Sequence, residues 1–337
     1  MDTSEIDVAI IGGGFAGCAT ARALAERGIR ARVLEREPEL GRHASGRGAG
    51  LGRQLAEDDA TSALTVRGAQ LLRERHAEAW DPTGGILTFD DATEAQEYMA
   101  RAVRLGIPFE PLEHEAVLAR WPTLTKLPIA GAMLVPSDGV IDTKRLLARL
   151  AHDLDIVLAA AVLAVEPAGD RVRLDTTAGT FRARVVVDAA GAWAGLLTND
   201  PPLETFRRHL FVLEAAPVER APFLWHLGGC ELYLRADGPT TLACPCDADP
   251  TAPIDQQPVE QADVQLRARL RVAPRWSHVP ILRRWACQRA FTPDRQMRIG
   301  RDPRRPWLVW AAGLGGHGAT AATAVGELAA DAVVCAL

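Results

Sequence analysis

Apolar and polar positions follow two rhythms along this chain. Residues 7–11 (DVAII) form a short apolar run ending in glycine, which reads as a buried strand. Residues 18–27 carry apolar positions at helical spacing up to Gly28, and residues 30–34 (RARVL) make a second strand. Further on, the pattern predicts a helix over 65–79, a strand over 84–89 and a helix over 94–105. Residues 108–136 break into prolines and short apolar runs, a shift that suggests departure from the first domain. The rhythm then gives a helix over 142–151, strands over 157–166 and 171–175, and a valine run at 185–189 of the kind found in central parallel strands. Residues 212–249 read as successive strands with turns such as Asp237-Gly238, and 260–272 as an amphipathic helix. The apolar stretch 311–337, interrupted by His317, Glu327 and Asp331, reads as an amphipathic helix lying on the sheet. The alternation predicts an α/β domain with a parallel sheet, joined to a lobe with antiparallel strands.

The first strand runs straight into Gly12, Gly14 and Gly17, spaced as GxGxxG, with Phe15 and Ala16 between the last two. Gly12 permits the tight turn, Gly14 lets backbone approach a pyrophosphate, and Gly17 lets the helix pack closely on its strand. Glu35, at the end of the second strand, has the spacing of a carboxylate that accepts both hydroxyls of an adenosine ribose, and it disfavours a 2′-phosphate. A dinucleotide is expected here, and the first 35 residues do not separate NAD from FAD. Residues 41–53 (GRHASGRGAGLGR) are too glycine-rich for a helix or a central strand and carry Arg42, Arg47 and Arg53. They read either as backbone folded tightly around a ligand or as a surface loop.

Length and charge narrow the field. A chain of 337 residues fits two lobes of roughly 150 residues each. The formal net charge of −5 argues against a nucleic-acid partner. The acidic start MDTSEID lacks the character of a signal peptide, and no apolar run has the length of a membrane span. A cytoplasmic location is expected, with peripheral membrane contact left open. The six cysteines show no C-x-x-C pair, so reduced thiols and no metal centre are expected. Cys244-Pro245-Cys246 has no flanking ligands and reads as two strand-end thiols.

Five blocks in order carry a resemblance over nearly the whole length. They are the glycine motif with LERE at 34–37, ASGRGAG at 44–50, DGVIDTKRLL at 138–147, VVVDAAGAWA at 185–194, and the C-terminal WACQRAFTPD with GLGGHGAT. The chain resembles the D-amino-acid oxidase superfamily of FAD-dependent oxidoreductases, which includes glycine oxidase and D-arginine dehydrogenase types. The resemblance implies a Rossmann-type FAD-binding domain (glutathione-reductase-like) and an α+β substrate domain with a mainly antiparallel sheet. The implied FAD-binding domain comprises residues 1–80, 137–200 and 286–337, and the substrate domain 81–136 and 201–285. Besides Gly12, Gly14, Phe15, Ala16, Gly17 and Glu35, the implied FAD-binding residues are Arg36, Ser45, Arg47, Gly48, Ala49, Val162, Ala190, Gly191 and Trp193. In the C-terminal loop they are Gly313, Gly315, Gly316, His317, Gly318, Ala319 and Thr320. The helix following that loop can turn its positive end towards the flavin.

For chemistry, the resemblance assigns Arg289 to the substrate carboxylate, which a planar guanidinium fork grips at both oxygens. It places Tyr233 beside it as a second donor, Arg208 on the substrate side, and His317 against flavin or substrate. Cys287 stands five residues before Thr292 of T-P-D, the spacing of the cysteine that carries covalent flavin in the sarcosine oxidase branch. Non-covalent FAD is expected, with that link open. The implied reaction is oxidation of the CH–NH bond of a D-amino acid or related amine, giving an imine that hydrolyses to a keto acid. Oxygen, a quinone or a protein would take the electrons. The rivals are a 2-hydroxy-acid or glycerol-phosphate type dehydrogenase, and a flavin subunit of a heteromeric enzyme. The small residues Gly48 to Gly52 stand where the D-arginine type carries bulky polar ones, which argues for a larger or more apolar substrate, or for another loop closing the site.

Overall fold

The computed structural model of the protein describes residues 3–337; Met1 and Asp2, the first residues of the expected FAD-binding domain, lie outside the described residues. The strand Thr3–Ile11 feeds the helix Phe15–Ala25 and then the strand Ala31–Leu34, which pairs parallel to it with Val8 opposite Ala31 and Ile11 opposite Leu34. On the other edge Gly179–Asp188 runs parallel to Thr3–Ile11, and Leu308–Ala312 runs parallel to the end of Gly179–Asp188. The middle strands are apolar without alternation because both of their faces are covered. Two meander strands, Val162–Ala168 and Arg171–Thr176, complete one flank in antiparallel fashion. Expected strand 157–166 is in fact two: Asp155–Val157 pairs with Ala31–Leu34 at one edge, and Val162–Ala168 forms the opposite edge. Ala159, at φ 53°, makes the turn between them.

The layer of helices is held by small residues. A Cβ on Gly326 of the C-terminal helix Gly318–Val334 would sit 2.5 Å from the backbone of Ala19 on the first helix. One on Gly68 of Asp59–Arg75 would sit 2.1 Å from the Thr320 carbonyl. The C-terminal helix therefore packs between two other helices as well as on the sheet. The first helix starts at Phe15 rather than 18, because the glycine turn is complete at Gly14. The helix expected over 65–79 begins six residues earlier, where the Asp58 carboxylate caps it by accepting from the Thr61 N–H. The glycine-rich segment 41–53 is not free of helix, since Ala44–Arg47 forms one short turn.

The second sheet has nine strands among the described residues, and Glu204–Leu213, Thr240–Cys244, Leu232–Asp237, Phe223–Leu227, Gly85–Phe89 and Gly131–Val135 follow one another across it. Ile281–Phe291 pairs along the whole of Glu204–Leu213, so it too belongs to this sheet. The chain thus returns to the first sheet after Phe291, with Arg298–Arg301 and Leu308–Ala312, and not at residue 286. One face of the second sheet packs on Glu260–Arg269 and the Trp121–Trp276 pair. The other face, with Trp225, Tyr233, Cys244 and Cys287, turns towards the first sheet and the cavity described next. The region 108–136 holds a short helix, His114–Arg120, and the strand Gly131–Val135.

Candidate active site

One long cavity runs from the glycine turn to the second sheet. At its first end Gly12 has φ +105°, and a Cβ there would lie 2.5 Å from the Ala189 carbonyl oxygen. A Cβ on Gly17 would lie 2.0 Å from the Gly12 carbonyl oxygen, so this glycine sets the helix against the turn and does not line the cavity. Gly14, Phe15 and Ala16 do line it, at a helix N-terminus that has no side-chain cap on Gly14. The Ser45 hydroxyl accepts from the Phe15 N–H at 3.0 Å. Glu35 is buried and fixed by two backbone donors, Gly13 N–H at 2.6 Å to Oε2 and Glu37 N–H at 2.9 Å to Oε1. Each of these oxygens can still accept a further bond from a ligand in the cavity, which Glu35 lines. Beyond Glu35 the Arg36 guanidinium lies 3.7 Å over the Trp193 ring, and His43 packs 4.8 Å from the same ring. Val162, Ala190 and Gly191 complete this end.

In the middle of the cavity run Gly48 and Ala49 on one side and Gly313 to Thr320 on the other. Gly313, Gly315 and Gly316 have φ of +70°, +58° and +94°, a loop no other residues would make without strain. It delivers the N-terminus of Gly318–Val334 to the cavity. His317, just before that helix, bonds through Nε2 to Glu57 at 3.0 Å, and burial holds its pKa below the ordinary imidazole value.

The far end is one face of the second sheet. Arg208 pairs in register with Cys287, Arg289 pairs with Phe206, and Tyr233 stands between Trp225 and Cys244 on neighbouring strands. Paired residues share a face, and so do residues two apart, so Arg289, Arg208, Tyr233 and Trp225 all face the cavity. The Trp225 and Tyr233 rings are 5.1 Å apart. Burial keeps the Tyr233 phenol protonated well above its usual range, so it is a donor. Arg289 reaches over Trp225 at 5.8 Å, and a Cβ on Gly316 would lie 2.6 Å from its Nε, which couples this arginine to the glycine loop.

The residues that the motifs single out thus meet along one cavity, with two exceptions, Gly17 and Arg47. Arg47 turns away, bonding Asp255 at 2.6 Å and the Gln256 carbonyl at 3.1 Å. It therefore ties the glycine-rich segment to a loop of the other lobe. Sequence reasoning missed Arg53 and Trp225. Arg53 is buried, lies 3.9 Å over the Trp225 ring and reaches Glu57 at 2.7 Å. Its place in a glycine-rich segment was a signal, but nothing in the sequence placed Trp225 opposite it. Among the described residues, no group of three or more His, Cys, Asp or Glu is arranged to hold a metal ion, and all six cysteines are free. No helix there is long and apolar enough to cross a membrane.

A family profile described as FAD dependent oxidoreductase matches residues 7–332. The chain belongs to that family. It is 31% identical to the glycine oxidase of Geobacillus kaustophilus (strain HTA426) over 215 residues, a stretch that is 58% of this chain and spans 57% of that protein. It is 26% identical to the monomeric sarcosine oxidase of Streptomyces avermitilis over 365 residues, covering 96% and 92%. The solved glycine oxidase of Geobacillus kaustophilus superposes with a TM-score of 0.84 at 26% identity, over 99% of this chain and 95% of that one. L-proline dehydrogenase from P. horikoshii superposes at 0.88 with 22% identity, over 98% and 93%, which is a likeness of fold.

The cavity suits the FAD of this family. Its first end offers a side-chain-free turn, a helix N-terminus without a side-chain cap on Gly14 and a buried carboxylate, the donors and acceptor that a pyrophosphate and a ribose need. Its middle is lined by glycine and alanine, where a planar ring can lie against backbone.

Proposed function

We propose that this chain oxidises the C–N bond of an α-amino acid or related amine, a D-amino acid being the first class to test. The observation that carries the reading is Arg289. It makes no hydrogen bond or ion pair to any described residue, yet it lines the cavity on the sheet face opposite the C-terminal helix N-terminus. An uncompensated guanidinium in such a place is a receptor for an anionic group of a ligand.

In this reading the Arg289 fork takes the substrate carboxylate and the Tyr233 phenol donates to the same group, which fixes the orientation of Cα. Trp225 forms an apolar wall that excludes water from the reacting face. The N-terminus of Gly318–Val334 favours negative charge at the middle of the cavity. Bound FAD supplies the two-electron acceptor: the substrate loses Cα–H with its electron pair and a nitrogen proton, and the resulting imine takes up water to give a keto acid and the free amine. His317, whose pKa burial lowers, is fixed by its hydrogen bond to Glu57 next to the glycine loop. Oxygen, a quinone or a protein then takes the electrons. FAD binds without a covalent link in this reading, because burial pushes the Cys287 thiol up to about 12 and leaves little thiolate.

The test is an anaerobic visible spectrum of the purified holoprotein before and after D-amino acids, their L-enantiomers, N-methyl amino acids and 2-hydroxy acids. Bleaching of the flavin band by an amine class is the expected result. Bleaching by hydroxy acids alone would move the assignment to a C–OH dehydrogenase.

A further inference from the structure

Two guanidiniums at the far end of the cavity have no anion in direct contact, one more than a single substrate carboxylate needs. Three guanidiniums, Arg53, Arg208 and Arg289, border the Trp225–Tyr233 floor. Arg53 has its counter-charge within the protein, the Glu57 carboxylate at 2.7 Å. Arg208 and Arg289 have none: among the described residues neither makes an ion pair or a hydrogen bond. Arg208 is only 6% exposed, and its Nε and Nη1 are buried without partners. Its neighbours across the sheet are Cys287, by register, and Tyr233 and the Cys244 and Cys246 thiols; Glu231 and Asp247 act on it only through space, Glu231 accepting from the Trp225 indole N–H and Asp247 held by His209, and neither touches the guanidinium. A buried cation without a counter-ion is costly enough that proteins rarely keep one unless a ligand completes it. Oxidised flavin has an uncharged ring, so it does not supply the missing anion.

We propose that the substrate is a short dicarboxylic amino or imino acid, one carboxylate held by Arg289 with Tyr233 and the second by Arg208. This rests on the amine-oxidation reading for the identity of the reacting bond, but not for the two anion sites. The register supports the pairing. Arg208 and Arg289 lie on adjacent antiparallel strands, on the same face, as diagonal neighbours, a relation that separates Cβ atoms by about 7 Å. Two guanidiniums rooted at that distance can each contact one end of a four- or five-carbon diacid. The small residues Gly48 to Gly52 suggest a larger or more apolar substrate when taken alone, but a Cβ on Gly50 would meet the Ile141 carbonyl at 2.3 Å and one on Gly52 the Trp80 ring at 2.5 Å, so the protein itself fills the space beside these two glycines.

The experiment titrates the purified FAD-loaded protein with non-oxidisable acids of matched length, succinate against butyrate and glutarate against valerate, following the shift of the flavin spectrum. The expected result is a diacid bound at least about tenfold tighter than its monoacid, as an added charge-assisted contact implies. Arg208→Leu should bring the diacid down to the level of the monoacid, and Arg208→Lys should keep a preference. Equal affinity of the two acids in the wild-type protein, no spectral response to either, or a preference that survives Arg208→Leu would overturn the proposal. Should R208L fail to hold FAD, the wild-type comparison and R208K still decide. A clear diacid preference in a protein that no amine bleaches would leave the two anion sites standing and sink the amine reading instead.

Discussion

The two ends of the cavity are built from different materials. At the end that receives the nucleotide, contacts come from backbone: a turn at Gly12, the N-terminus of Phe15–Ala25, and a carboxylate clamped by the N–H groups of Gly13 and Glu37. At the other end, contacts come from side chains on four strands, Arg289, Arg208, Tyr233 and Trp225, brought together by sheet pairing. Backbone geometry tolerates little change in the residues that make it but serves one ligand in many proteins. A face of side chains can be altered one residue at a time, so in the proposed reading it is the end where substrates are chosen.

Substitutions should separate the ends by what they damage. Arg289→Met is expected to lower kcat/KM by roughly 10³-fold, mainly through KM, with a normal flavin spectrum, since it removes a bidentate charge contact to the ligand alone. Steady-state kinetics on FAD-saturated protein checks this, and a loss of FAD content in its place would erase the division between the ends. Gly17→Ala should act the opposite way. Its Cβ would meet the Gly12 carbonyl oxygen at 2.0 Å, where backbone cannot yield, so a loss of about 2–3 kcal/mol in urea unfolding is expected together with poor FAD retention. Glu35→Gln keeps the shape but weakens two charge-assisted bonds, and should raise the FAD dissociation constant about tenfold in fluorescence titration, leaving the substrate KM of the saturated protein unchanged.

Stability should respond to pH through a buried carboxyl outside the cavity lining. Asp138 is fully buried, its Oδ1 accepts from the Gln54 backbone and side-chain N–H groups, its Oδ2 has no partner, and burial lifts its pKa to about 7. A carboxyl that binds its proton more tightly folded than unfolded stabilises the protein fully below the unfolded value near 4, and that contribution fades as pH rises through 7. Asp138→Asn should therefore flatten this part of the decline in melting temperature between pH 4 and 7. An unchanged slope would assign the pH response to another group. The smallest expected effect is on colour: acid precipitation should leave all of the flavin in the supernatant, because the Cys287 thiol is pushed up to about 12.

The strand, turn, helix and Glu35 of the nucleotide end are local, so spacing in sequence is spacing in space, and folding brings Gly12, Gly14 and Glu35 to one end of the cavity. The C-terminal glycine loop was legible for the same reason. The segment 157–166 reads as one strand because its apolar positions continue through the turn at Ala159, and only pairing decides which edge each half joins. The chain is expected back in the FAD-binding domain from residue 286, yet the strand Ile281–Phe291 that spans this point pairs with Glu204–Leu213, a hydrogen-bonded choice that composition does not encode. Arg47 and Arg53 are near neighbours in one glycine-rich segment. The motif resemblance put Arg47 at the ligand and passed over Arg53, whereas the backbone turns the first towards Asp255 and the second onto Trp225.

The nucleotide end and the alternation of strands and helices follow from the order of residues alone, because they depend on contacts a few positions apart and on the burial of apolar runs. That Arg208 and Arg289 face the same cavity without counter-charges is settled only on folding. It depends on the register between Glu204–Leu213 and Ile281–Phe291, two strands far apart in the chain, and register is fixed by the packing of a whole sheet.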